Sequence, residues 1–553
     1  MKHSITQAYA WLHTWAGLVF GWALVAIFLA GTWAVFDKEI SNWMQPEVPA
    51  QDVPRAQSVA TAIDYLSKHH PHESNWQVSL PTERNPKLAV GAGEPQGGGR
   101  RGGNLNTLDP ATGEVLKPRQ TAGGNFFFRF HYTLHFPRNI GVWVVGFMAM
   151  AMLAAIVTGI VIHKKFFKEF FTFRPNKGQR SWLDYHNASG VLLLPFHIMI
   201  TYTGLVIFFL IYMPAPMDAL FDGDRQAYQA ALRAPQNAQG ASREMAEHPR
   251  EGREAPREQG YGAERGAGGR MPRVAEIITF DRTADIDFMG LINKAEAELG
   301  PISGFSLVRR NDGNATFEAR PIMGNIIELT KGRSVALDAL TGTIVRPVPE
   351  SSGAGWVQRV MAGLHFAQFG GYPMRWLYFI CGLISTAMMA GGLVLFCVKR
   401  RKRYAKESLF AQRGYALIER INIAVISGLL LASIGMLWAN RLLPVEMSAR
   451  AAAEINVFFI LWGASFLHAS LRPVMNAWVE QLIAVGALAL LLPALNFLGG
   501  NWVLSSSAIW LELTSVVLGG LSLAAAWHVS RPSKVVTKKA RPTKTQAKEE
   551  LAC

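Results

Sequence analysis

Long apolar runs punctuate this chain, and polar segments of unequal length separate them. A helix rises about 1.5 Å per residue, so about twenty apolar residues cross a hydrocarbon core. Eight stretches meet that length: residues 14–36, 140–162, 187–212, 374–398, 416–443, 454–471, 480–498 and 508–528. The sixth is the shortest and ends in His468 and Arg472. The pattern predicts an all-α membrane core of about eight transmembrane helices. The first run, Trp15 to Phe36, is long enough to span and carries no convincing cleavage site, so it reads as a retained helix.

Two polar segments, 37–130 and 214–360, follow the first and third runs. Each holds a helical stretch, Val59–Lys68 and Phe288–Leu299, and then an Asp…Thr-Gly sequence, DPATGEV (109–115) and DALTGTI (338–344). The Gly supplies the positive φ of a tight turn between strands, so each segment predicts a small α+β domain. GEPQGGGRRGG (93–103) and the Gly/Arg/Glu-rich run 234–270 have few aliphatic residues and predict flexible insertions. The expected order is helix one (1–36), domain one (37–130), helix two (131–163), a basic loop (164–186), helix three (187–213) and domain two (214–360). Helix four (361–398), a second basic loop (399–415), a four-helix extension (416–528) and a basic tail (529–553) complete it.

The first four runs are a duplication. His13, Gly17 and Gly31 in the first recur as His186, Gly190 and Gly204 in the third, at the same spacings. Leu134-His135-Phe136 and Leu364-His365-Phe366 open the second and fourth. With the two Asp…Thr-Gly turns, three landmarks recur in one order. Both copies enter the membrane in the same direction, which predicts a pseudo-two-fold axis along the membrane normal. The last four runs show no such copy and read as an appended module.

Charge sharpens the topology. There are 55 Lys+Arg against 40 Asp+Glu, but the excess sits at the ends of apolar runs and speaks for membrane topology rather than nucleic acid. The loop after the second run, KRRKR (399–403) and the tail all fall on one side if eight spans exist. The positive-inside rule makes that side the cytoplasm. The chain then belongs in a bacterial inner membrane, both termini cytoplasmic and both polar segments periplasmic.

Of fourteen histidines, seven mark the ends or interior of the first four spans: His13, His131, His135, His163, His186, His197 and His365. Ionisable residues at membrane depth are costly and point to function. Neutral imidazole is a metal ligand, and a b-type haem needs two facing imidazoles on different helices. The repeat pairs His13 with His186 on the cytoplasmic side and His135 with His365 on the periplasmic side, which predicts two haems b. A rival pairing remains. His186 and His197 lie eleven residues, about 16 Å, apart on one helix face, with His163 or His131 as partners, and His131 and His135 share a face at i, i+4. His468 and His528, in the appended spans, read as structural. No CxxCH, CxxC or HExxH occurs, and Cys381, Cys397 and Cys553 form no disulfide framework. No Walker-type loop supplies a nucleotide site, so electrons would come from a quinol, a flavin or another reductase.

HTWAGL (13–18), HFPRNIG (135–141), GIVIHKKFFKEFFTFRP (159–175), SWLDYHNASGVLLLPFHIMITYTGL (181–205) and LHFAQFGGYPMRWLYFICGL (364–383) resemble the PepSY-associated transmembrane family, also described as iron-regulated or iron-uptake membrane proteins. The resemblance covers residues 1–403, and the Asp…Thr-Gly segments are similar to its periplasmic PepSY domains. It implies an inner-membrane di-haem reductase that reduces a ferric siderophore or another Fe(III) chelate, with the family's histidines at 13, 131, 135, 163, 186, 197 and 365. The insertions and the four extra spans depart from the family pattern. Two other readings stand beside it: a membrane-anchored PepSY-type binding or regulatory protein without redox activity, and a transporter of a small solute or chelate with parallel repeats.

Overall fold

The computed structural model describes residues 4–49, 51–93, 105–163, 174, 178–212, 282–324, 326–351, 353–499 and 506–531. The predicted insertion 234–270, nearly all of 93–103 and the tail beyond 531 lie outside them. The first half runs α1 (Ile5–Val19), α2 (Gly21–Ala34), α3 (Asp37–Trp43), α4 (Arg55–His69), β1 (Asn75–Ser79), β2 (Leu88–Ala92), β3 (Asn106–Leu108), β4 (Val115–Leu116), α5 (Asn125–Thr133) and α6 (Arg138–Ile162). The second half repeats this order as α7 (Gln179–Leu192), α8 (Leu194–Ile207), the one-turn α9 (Phe209–Tyr212), α10 (Phe288–Leu299), β5 (Ile302–Arg309), β6 (Ala315–Pro321), β7 (Val335–Asp338), β8 (Ile344–Arg346), α11 (Gly353–His365) and α12 (Gly371–Tyr404). The extension is α13 (Leu409–Leu442), α14 (Arg450–Leu471), α15 (Val474–Leu498) and α16 (Ser506–Ser530).

Among the described residues, six single helices are long and apolar enough to cross a membrane: α6 and α12 to α16. Two bent pairs, α1 with α2 at 60° and α7 with α8 at 65°, raise the number to eight. The chain is a multi-pass membrane protein. The first and third spans were expected as straight helices, and both are broken. The breaks fall at Phe20 and Leu193, seven residues after His13 and His186, so the bend belongs to the repeat. In the second copy Pro195 stands at the start of α8, where its missing N–H costs nothing but the preceding turn cannot continue. In the first, Gly21 lets Leu393 of α12 approach to 3.0 Å from where a Cβ would sit.

The strands form one sheet rather than the two separate domains that the spacing predicts. Its order is β4-β3-β2-β1-β5-β6-β7-β8, antiparallel throughout. At the centre Gln77 pairs with Ser306 and Val78 with Phe305, so β1 and β5 meet across the pseudo-two-fold axis. Each half alone would leave a long edge of unpaired N–H and C=O groups, and joining them removes both edges. Gly304 permits the approach, since a Cβ there would lie 2.3 Å from the Val78 carbonyl oxygen. Val59, Ala62 and Leu66 of α4 and Leu291, Ile292 and Ala295 of α10 share one core with Trp76, Phe305 and Phe317 of the strands. Both Asp…Thr-Gly sequences are turns as expected. Asp109 accepts from the N–H groups of Ala111 and Thr112, Asp338 from those of Leu340 and Thr341, and Gly113 and Gly342 take φ of 78° and 69°.

The extension packs on α2 and α12. At the end nearest the sheet it is fastened by an ion pair with no solvent exposure, Arg450–Glu454 at 2.6 Å. Glu454 also accepts from Thr121 Oγ1, the Ala122 N–H and Asn440 Nδ2. These contacts clamp the segment that leads into α5.

Candidate functional site

Four histidines of the duplicated core meet in two pairs. On the side away from the sheet, the rings of His13 (α1) and His186 (α7) stand 6.3 Å apart, centre to centre, inclined at 69°. On the sheet side, His131 (α5) and His365 (α11) stand 5.9 Å apart at 34°. Two imidazoles on opposite sides of one metal ion, each bonded at about 2 Å, would have ring centres about 6 Å apart. All four rings are half-buried.

Hydrogen bonds set the tautomers. His13 Nδ1 lies 3.0 Å from the Ala155 carbonyl, His186 Nδ1 3.0 Å from that of Met388, and His131 Nδ1 2.8 Å from that of Ile27. A carbonyl only accepts, so each Nδ1 carries the hydrogen and each Nε2 keeps its lone pair. His365 Nδ1 lies 3.1 Å from Thr203 Oγ1, whose own hydrogen goes to the Met199 carbonyl, so the ring again donates. Fixing Nδ1–H on a backbone or hydroxyl oxygen is the usual support for an Nε2 ligand.

A glycine on a neighbouring helix faces each ring. A Cβ on Gly31 would lie 2.7 Å from His131 Nδ1, and one on Gly204 2.9 Å from His365 Cε1. Gly392 and Gly159 stand likewise by His186 (3.1 Å) and His13 (3.3 Å). Gly31 and Gly204 are repeat equivalents, so their partners His131 and His365 are equivalent too. This corrects the expected pairing of His135 with His365. The Leu-His-Phe match aligned the wrong histidine, and the expected i, i+4 face shared by His131 and His135 requires a helix that runs on through His135, whereas α5 stops at Thr133. Leu134 and His135 turn the chain at φ of 49° and 65°. His135 is exposed, its ring 5.0 Å from Phe459 of the extension.

The other two candidates are not brought opposite a histidine. His163 caps α6. His197 is buried and its Nε2 lies 2.8 Å from Ser385 Oγ, whose hydrogen goes to the Cys381 carbonyl. The ring therefore donates through Nε2, the atom a ligand would need. His468 bonds Glu480 and Gln481 within the extension.

A cavity of about 650 Å³ lies between His131 and His365 and also touches Gly31, Gly204 and Phe196. That is the size of a cofactor site. Thr201 Oγ1 and Gln368 Oε1 on its wall have no hydrogen-bond partner among the described residues. Arg84, Arg138, Lys331, Arg359 and Arg375 line it against one carboxylate, Asp37, so it suits an anionic group. Arg84 is anchored by Glu39, with bonds of 2.7 and 2.8 Å. Burial alone would raise the Glu39 carboxyl, but the Arg84 hydrogen bonds and charge hold it below its usual value. Among the described residues no three His, Cys, Asp or Glu side chains cluster as a metal cage. Each pair therefore brings two imidazole rings together, fewer side chains than a metal cage of three or more ligands needs.

The four glycines and the cationic lining escaped the sequence reading. Gly31 and Gly204 were visible as repeat landmarks, but only packing reveals which ring each one faces. Comparison with curated proteins gives no match. Residues 10–399, the whole duplicated core with its sheet and both histidine pairs, match the PepSY-associated TM region, and the chain belongs to that family.

Proposed function

We propose that this chain is a di-haem b reductase of a bacterial inner membrane. It would pass electrons to a ferric siderophore or another Fe(III) chelate in the periplasm, releasing iron for uptake. The observation that carries the proposal is the pair of facing imidazole couples, each with Nδ1 donating and Nε2 open. His13 and His186 would hold one haem, His131 and His365 the other, and Arg84 and Arg375 would receive propionates of the second. When bound, each haem supplies a one-electron Fe(III)/Fe(II) couple. The chain's own residues do the rest. Ile27, Met388, Ala155 and Thr203 orient the four rings, the glycines give them room, and the apolar helices exclude water.

The basic KRRKR at the far end of α12 supports placing the sheet in the periplasm. There the sheet, which we read as a joined pair of PepSY-like domains, would hold the chelate above the cationic cavity. Fe(II) is less highly charged than hard-oxygen chelators prefer, so reduction loosens the metal. A purely binding or regulatory protein would use the sheet but leave both imidazole pairs idle.

The test is a pyridine haemochrome count on purified protein. Two haems b per chain are expected, falling to one in His131→Ala or His365→Ala and staying at two in His135→Ala. A colourless wild-type protein refutes the proposal.

A further inference from the structure

Beside the duplicated core lies a second, larger cavity of about 1310 Å³, walled by α2 and α12 on one side and by α13, α15 and α16 on the other. It reaches from Tyr372 to Arg401 of α12, about 44 Å of helix at 1.5 Å per residue. Most of its wall is apolar, with Leu29, Trp33, Phe379 and Val394 among the lining residues. A slot of this length suits a ligand with a long hydrocarbon tail.

Its two ends differ in chemistry. At the sheet end Glu39 already accepts from Arg84 and from the Tyr372 hydroxyl. At the far end Glu419 forms no ion pair among the described residues. The Tyr415 hydroxyl lies 2.9 Å from Glu419 Oε1 and 3.0 Å from the Cys397 carbonyl. A phenol has one hydrogen to divide between them, and Glu419 Oε2 has no hydrogen-bond partner among the described residues. Asn422 stands in the same wall, its Oδ1 held at 2.7 Å by Trp22 Nε1. A ligand that brings hydroxyl donors to this end would complete the set.

This end also abuts the far-side histidine pair. Tyr185 lines the slot and packs on Gly391, 2.9 Å from a Cβ there, while the next residue, His186, packs on Gly392 and faces His13. One residue of α7 separates the slot from the ligand pair.

We propose that this slot binds an isoprenoid quinol, with its ring at Glu419, Tyr185 and Asn422 and its tail along α12. The proposal rests on the redox reading above and supplies its electron donor. Oxidation of the hydroquinone breaks two O–H bonds. Glu419 takes the two protons in turn and releases each to water at the end of α13. The two electrons would leave singly through a one-electron acceptor held by His13 and His186, which would hand the first on towards His131 and His365 before taking the second, leaving a quinone.

The test uses the full chain in nanodiscs, with decylubiquinone and decylubiquinol as probes. Saturable quenching of tryptophan fluorescence by decylubiquinone reads binding without any haem, and stopped-flow absorbance reads haem reduction by decylubiquinol. Glu419→Gln is expected to keep its dithionite-reducible haem but to be reduced by the quinol on the order of a hundredfold more slowly. Val394→Trp, which fills the slot, is expected to abolish saturable quenching. Quenching that never saturates, or that saturates equally in Val394→Trp, overturns the proposal and leaves the slot to membrane lipid. Equal quinol reduction rates in wild type and Glu419→Gln also overturn it. A chain without haem that still binds decylubiquinone saturably, and loses this in Val394→Trp, refutes the redox reading but keeps the quinone slot.

Discussion

Alanine at Gly31 is the sharpest probe of the sheet-side pair, because the damage can be computed from one distance. The new methyl would sit 2.7 Å from His131 Nδ1 and 2.9 Å from its Cε1. Ordinary contact begins at 3.4 Å, so the ring must retreat by about 0.7 Å. It cannot retreat freely, since Nδ1 is held 2.8 Å from the Ile27 carbonyl. Stretching that bond costs about 1 kcal/mol, and overpacking adds about 1–3 kcal/mol. A total of about 2–4 kcal/mol weakens a bound haem by about thirty- to a thousandfold. A ligating constellation tolerates displacement of about 0.5 Å. Gly204, at 2.9 Å from His365, falls at that limit, whereas Gly392 at 3.1 Å and Gly159 at 3.3 Å fall inside it. Gly17 faces open space and serves as control. The haemochrome count per chain should therefore drop towards one in Gly31→Ala, drop less in Gly204→Ala, and stay at two in Gly159→Ala and Gly17→Ala. Size-exclusion profiles should be unchanged. If Gly31→Ala keeps two haems, or if Gly159→Ala loses more than Gly31→Ala, the rings are not held as ligands in this geometry.

Glu454→Leu strips the solvent-shielded Arg450 guanidinium of its paired carboxylate, which should lower stability by about 3–5 kcal/mol, read as a fall in the thermal midpoint in detergent. Arg450→Met with Glu454→Leu should recover part of this and not all, since Thr121 Oγ1 and the Ala122 N–H still lose their acceptor; a Glu454→Leu protein as stable as wild type would refute the clamp. The turn carboxyls predict an acid dependence. The N–H of Thr341 holds Asp338 below its usual value, and at Asp109 the N–H groups of Thr112 and Ala111 outweigh the upward push of burial. A depressed carboxyl contributes stability above its ordinary value of 3.8 and loses it as pH falls through the folded-state value. Exchange protection in β3, β4, β7 and β8, taken against the intrinsic rate at each pH, should therefore fall in acid, and Asp109→Asn with Asp338→Asn should flatten that dependence while lowering protection at neutral pH. Gly304→Val should separate β1 from β5, seen as lost exchange protection confined to the central strands.

Length and periodicity made the spans legible, and the duplication made His13 and His186 legible as partners. The sheet-side pair was not readable in the same way. Leu-His-Phe recurs at both span entries, but the helix that carries the first ring ends at Thr133, so the match slid by four residues onto His135. Nothing local announces that left-handed turn, because Leu134 and His135 take positive φ without a glycine. The break at Phe20 lacks the proline that marks its counterpart near Leu193. The joined sheet was also hidden, since β1 and β5 are some two hundred residues apart and strand pairing depends on partners that spacing does not identify.

The extension explains why a two-fold core should work in one direction only. Duplication makes the seam between α2 and α12 equivalent to the seam between α8 and α6. Both would meet lipid alike in a bare core. The four appended helices pack on the α2–α12 side, while Trp143, Phe147, Met150 and Val157 of α6 stay exposed. The covered seam becomes a walled slot, and to its lining the extension adds a carboxylate, Glu419, in company with Tyr185 of the core. The same helices reach the opposite end through Arg450 and Glu454 and hold the segment that leads into His131. A module that touches the approach to both histidine pairs, on one side of a symmetric core, is placed to give equivalent halves unequal work.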